Sequence, residues 1–107
     1  MQIAHNKLVR DRIPEIIQRN GHRAVTHVLD GDEYHQQLLA KLVEEAQEAQ
    51  AAPAAELPSE LADVLETLQA LSTTAGVTWD ELTAIAADKR SRRGGFRNRI
   101  YLEYVEE

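Results

Sequence analysis

The chain contains no cysteine, only five glycines, three prolines and five aromatic residues among 107 positions. Without thiols it forms neither disulfides nor thiolate metal sites, so any bound metal must sit on oxygen or imidazole. The four histidines, His5, His22, His27 and His35, show no i, i+4 pairing with one another. Oxygen ligands therefore remain, and these suit magnesium, manganese or calcium. Long apolar runs are also missing: no stretch would cross a bilayer, and the opening MQIAHNKLVR has no signal-peptide core. The expectation is a cytoplasmic protein with no membrane partner. At this length the chain is read as one domain, residues 1–107, with one core.

Basic charge is scarce where acid is dense. Residues 31–88 carry twelve acidic side chains and one basic one, Lys41, whereas residues 89–99 carry six basic side chains and no acid. The formal net charge of -6 argues against a nucleic-acid-coating protein. A compact basic segment beside an acidic one suits a metal-bound polyanion such as a nucleotide polyphosphate; two separately solvated faces are the plainer alternative.

The scarce prolines and glycines punctuate a helical pattern. Ile13, Ile16 and Ile17 give helical spacing over residues 12–19, with Pro14 in the first turn and Gly21 past the end. Asp30 followed by Glu33 is a capping-box-like start for a helix to about Ala51, with an apolar stripe of Leu38, Leu39, Leu42, Val43 and Ala46. Pro53 and Pro58 bound a reversal. The next helix is expected from about Ser59 to Ala75, burying Leu61, Val64, Leu65, Leu68 and Leu71 before Gly76. Thr78 and Glu81 open a last helix, with Leu82, Ile85 and Ala86 inward, that ends near Arg93 before Gly94-Gly95. Residues 24–29, AVTHVL, are rich in β-branched side chains, and residues 98–104 offer a partner for a small two-stranded element. The fold class is mainly α, built on an antiparallel helical hairpin.

That hairpin places carboxylates symmetrically. Glu48 and Glu60 lie six positions either side of Ala54, and Glu45 and Asp63 nine. Six positions correspond to about 9 Å of helix rise, so the four face one another if the chain folds back near Ala54. Like charges about 5 Å apart repel by roughly 3 kcal/mol per pair at an effective dielectric near 20, so the cluster calls for a counter-charge. A divalent cation supplies one, and two ions about 4 Å apart would clamp a phosphoryl displacement. Lys89, Arg92 and Arg93 offer donors to phosphate oxygens, although cations at a helix C-terminus also complement its dipole. Lys7, Arg10 and Arg12 form a second basic cluster that either closes over the same site or pairs with surface acids. Lys41 reads by default as a helix-surface ion pair. Trp79 reads as a helix-start core residue, with base stacking as the alternative.

The succession KLVRDRIPEII, KLVEEAQE, ELADVLETLQAL and KRSRRGGF resembles the all-α nucleoside triphosphate pyrophosphohydrolase superfamily, the MazG-like proteins, and within it the phosphoribosyl-ATP pyrophosphohydrolase-like, house-cleaning branch. The resemblance covers nearly the whole chain. It implies a four-helix bundle and Mg²⁺-dependent hydrolysis of a nucleoside triphosphate between the α and β phosphates, with Mn²⁺ a possible substitute. It further implies Glu45, Glu48, Glu60 and Asp63 as metal ligands. Glu44 would be a further ligand or the group orienting the attacking water, with Glu44 and Glu45 the candidate catalytic carboxylates. Lys89, Arg92 and Arg93 would hold phosphates, with Lys7 and Arg10 as further substrate-binding candidates. The relatives form dimers or tetramers, so a homo-oligomer is expected. In the histidine-pathway relative an aromatic-histidine pair follows the aspartate; here Val64-Leu65-Glu66-Thr67 follows Asp63, which disfavours that alternative. The rival from another class is a non-catalytic helical module whose acidic face binds a basic partner.

Overall fold

A computed structural model describes all 107 residues and contains four helices: α1 (Ile13–Arg19), α2 (Gly31–Ala51), α3 (Leu57–Thr74) and α4 (Trp79–Arg93). Local chemistry sets most of these limits. The Asp30 side chain accepts the Glu33 N–H at 2.8 Å and starts α2. The Thr78 hydroxyl accepts the Glu81 N–H at 3.1 Å and starts α4. Each such cap is worth about 1 kcal/mol, because it satisfies a donor that the first turn leaves unpaired. Gly76, at φ 80, leaves α3 through a left-handed turn that the Ser72 hydroxyl closes by donating to the Val77 carbonyl at 2.7 Å.

α3 starts two residues earlier than the expected Ser59, and Pro58 lies inside its first turn rather than in the reversal. A first-turn proline forfeits no helical hydrogen bond, so it can begin the helix. The carbonyl of Pro53 accepts the N–H groups of Glu56 and Leu57 and makes the reversal itself. The chain thus folds back between Ala51 and Leu57, around the midpoint from which the carboxylates are spaced.

The expected β element is not formed. No strand is present, and no backbone–backbone bond ties residues 24–29 to residues 98–104. Val25 is 83 % exposed and Val28 97 %. β-branched side chains favour a strand only when a partner and a surface to pack on are available, and neither is supplied here.

The core is the seam between α2 and α3, where Leu38 and Leu71 are buried and Leu42, Val64 and Leu68 half-buried. α3 meets α4 only slightly, and α1 packs against no other helix. From Thr83 to Arg93 every residue of α4 is exposed. The burial expected of the two long helices is therefore half realised, with Leu39, Val43, Ala46, Leu61 and Leu65 outside, and on α4 Ile85 and Ala86 are exposed as well. Leu57, Leu61 and Leu65 recur every four residues, as do Leu39 and Val43, so each helix carries an apolar stripe facing away from the seam.

The molecule is accordingly extended. Its radius of gyration is 18.2 Å, against about 13 Å for a compact chain of this length. Its accessible surface is 9702 Å², against roughly 6,000 Å² for a folded monomer of this mass.

Candidate metal centre

The hairpin delivers carboxylates from both long helices to one place. Glu45 of α2 and Glu60 and Asp63 of α3 each present an oxygen, and the three oxygens lie within 4.8 Å of one another. Opposed ligands around a hard divalent cation stand about 4 to 5 Å apart, so the group has the right span for Mg²⁺, Mn²⁺ or Ca²⁺. Glu60 sits in the first turn of α3, where the helix dipole favours negative charge by about 0.3–1 kcal/mol. Asp63 is one turn further on, its carbonyl accepting the hydroxyl of buried Thr67 at 3.0 Å.

Unmet hydrogen-bonding capacity marks the group as more than surface acid. Glu45 is only 5 % exposed, and the Oε2 atoms of Glu45 and Glu60 are buried without any hydrogen-bond partner. A buried acceptor left unpaired costs about 1–3 kcal/mol, and more when charged. Most surface carboxylates avoid that cost in water. Two orphaned oxygens in one group of three is the donor set a hard cation would complete, so the residues fit a divalent ion.

Glu48 and Glu44 extend the cluster toward solvent. Repulsion from the Glu45 carboxylate, foremost, raises the Glu48 pKa above its ordinary 4.5. A hydrogen bond that protonated Glu48 makes with Glu45 adds to the rise, as do partial desolvation and the charges of Glu44 and Glu60. The side chain of Glu48 is nonetheless exposed, which keeps it at the rim. Glu44 is half-buried and pairs with Lys7 at 3.5 Å.

Two further basic side chains reach the cluster. Arg10 donates to Asp63 Oδ1 at 2.6 Å across 53 residues of sequence. Lys41 pairs with Glu45 Oε1 at 3.1 Å within α2, and its side chain is only 19 % exposed. Of the two alternatives for the N-terminal basic cluster, Lys7 and Arg10 do meet site carboxylates, whereas Arg12 pairs with Glu15 at 3.0 Å.

The C-terminal basic strip stands elsewhere. Lys89, Arg92 and Arg93 are exposed, Arg92 pairs with Asp88 at 2.9 Å within α4, and no ion pair joins the strip to the cluster. Past its end, residues Arg93 to Ile100 line a cavity of about 200 Å³. That is below the 300–1,000 Å³ usual for small-molecule sites, so it would hold at most part of a nucleotide. Trp79, the first residue of α4, is half-buried.

The pairings Lys7–Glu44 and Arg10–Asp63 span 37 and 53 residues. Their only signal in the sequence is the density of base before the first helix and of acid after it. No family model, curated protein or solved structure matches the chain.

Proposed function

We propose that this chain is a divalent-cation-dependent nucleoside triphosphate pyrophosphohydrolase of the all-α, MazG-like kind, yielding a nucleoside monophosphate and pyrophosphate. The observation that supports it is the cluster of Glu45, Glu60 and Asp63, which brings one oxygen from each within 4.8 Å, together with the buried, unpartnered Oε2 atoms of Glu45 and Glu60. In this reading those residues, with Glu48 at the rim, hold Mg²⁺ or Mn²⁺. The ion would contribute charge neutralisation of the phosphate oxygens.

The chain's own residues take the remaining roles. A water oxygen forms a bond to phosphorus, the α–β bridging bond breaks, and the bridging oxygen leaves with pyrophosphate. In this reading Glu44, half-buried beside the cluster, would hold the attacking water or serve as a further ligand. Lys7 and Arg10 bring positive charge to the cluster; Lys89, Arg92 and Arg93 are the phosphate donors that the resemblance implies, and they stand apart from the cluster on exposed α4. A homo-oligomer accompanies the reading: the apolar stripes through Leu39 and Val43 and through Leu57, Leu61 and Leu65 belong with the roughly 3,700 Å² of surface beyond that of a compact monomer.

The test is a broad panel of nucleoside triphosphates with Mg²⁺ and Mn²⁺, scored for pyrophosphate. At least one nucleotide should be cleaved, and Glu48→Ala and Asp63→Ala should abolish cleavage with the helical signal retained. If nothing in the panel is cleaved, the non-catalytic acidic module takes precedence.

A further inference from the structure

Five carboxylates converge at the hairpin, and the chain assigns basic side chains to three of them: Lys41 to Glu45, Arg10 to Asp63 and Lys7 to Glu44. Glu48 and Glu60 receive none. We propose that Lys41 and Arg10 are resident counter-ions of this cluster, competing with a divalent cation for its negative charge and thereby setting the cation's affinity. The proposal rests on the cation-site reading above and adds what regulates that site.

Lys41 carries the argument furthest. It is the one base among residues 31–88, and it falls one turn from the most buried carboxylate of the cluster. Helix stabilisation does not account for it, because a lysine preceding glutamate at i, i+4 is the weaker of the two orders. Burial does not favour it either: an ammonium with four-fifths of its surface covered loses hydration that an exposed pair keeps. Its Nζ engages Glu45 Oε1 and leaves Oε2 unpartnered, so one oxygen is taken by the ammonium and the other remains open to a cation.

Arg10 reaches the cluster from a segment that no helix–helix packing holds in place, flanked by half-buried Leu8 and Val9. Its guanidinium touches Asp63 at 2.6 Å, one of the three residues whose oxygens span the cation position. A divalent ion there would lie within a few ångströms of two positive charges. Repulsion between them weakens binding of the ion, and by linkage the ion weakens both pairs by the same factor.

Titration calorimetry with MnCl₂ at constant ionic strength tests this on the full chain, comparing the parent protein with Lys41→Met, Lys41→Arg and Arg10→Gln. Removing either charge should tighten Mn²⁺ binding by about tenfold, and Lys41→Arg should stay near the parent. A second readout is thermal unfolding: in EDTA Lys41→Met should melt below the parent, and saturating Mn²⁺ should raise its melting temperature by more than the parent's. Should Lys41→Met fail to fold, Arg10→Gln alters only a half-exposed pair and carries the test. Unchanged or weaker Mn²⁺ binding in the folded variants overturns the counter-ion proposal while leaving the cation site standing. No Mn²⁺ binding to the parent protein overturns the site itself, and the proposal with it.

Discussion

Glu60→Gln gives the most discriminating view of the cluster, because the substitution changes charge with almost no change of shape. Glu60 has no basic partner, its Oε2 is buried and unpaired, and ligand oxygens of Glu45 and Asp63 lie within 4.8 Å. At that separation full charges repel by roughly 3 kcal/mol at an effective dielectric near 20. Lys41 and Arg10 offset part of the neighbours' charge, and about 1–2 kcal/mol is left. Against this, neutralising Glu60 forfeits up to about 1 kcal/mol of interaction with the α3 dipole. The repulsion outweighs the dipole. In EDTA the variant should therefore be more stable than the parent by about 1 kcal/mol, a rise of about 4–8 °C in a domain this small. With saturating Mg²⁺ or Mn²⁺ the order should reverse, because the parent gains binding free energy that the variant has largely lost. Melting followed by circular dichroism at one protein concentration, with and without the ion, measures both. A variant less stable than the parent in EDTA, or one that responds equally to the ion, would refute the electrostatic reasoning.

Other outcomes follow from the same structure. The raised pKa of Glu48 means that the folded chain binds more protons than the unfolded chain between the ordinary value of 4.5 and the raised one. Its contribution to stability should thus grow as pH falls through that window and be lost as pH rises through the raised value. Saturating Mn²⁺ should erase this dependence in denaturant titrations, since ion and proton compete for the same oxygens, and Glu48→Gln should erase it without the ion. Leu38→Ala, at the most buried apolar position of the α2–α3 seam, should cost about 2–5 kcal/mol, measured by urea unfolding. Thr78→Ala should cost about 1 kcal/mol by loss of the α4 cap, with the Mn²⁺ affinity unchanged.

Helix limits were legible because their causes are local. The Asp30 and Thr78 caps act within three residues, and Gly21 and Gly76 take the left-handed turns expected of helix stops. The reversal and the convergence of Glu45 with Asp63 followed from counting along two helices. What the pattern could not supply was the identity of the surface each stripe faces. Leu61 and Leu65 sit at helical spacing as Leu68 and Leu71 do, yet the first pair is exposed while Leu68 is half-buried and Leu71 buried. A period specifies a face and not its partner. The same limit explains AVTHVL, whose strand preference found no neighbour, and Lys89, Arg92 and Arg93, whose charge suited the cluster but whose helix leaves the hairpin.

Electron paramagnetic resonance of Mn²⁺ mixed with the protein addresses the centre itself. Binding to the parent chain should remove the free-ion signal, which should return in full in Glu45→Gln and Asp63→Asn, with Glu66→Gln on α3 behaving like the parent. Equal binding by all four proteins, or none by the parent, would contradict a cation site at Glu45, Glu60 and Asp63.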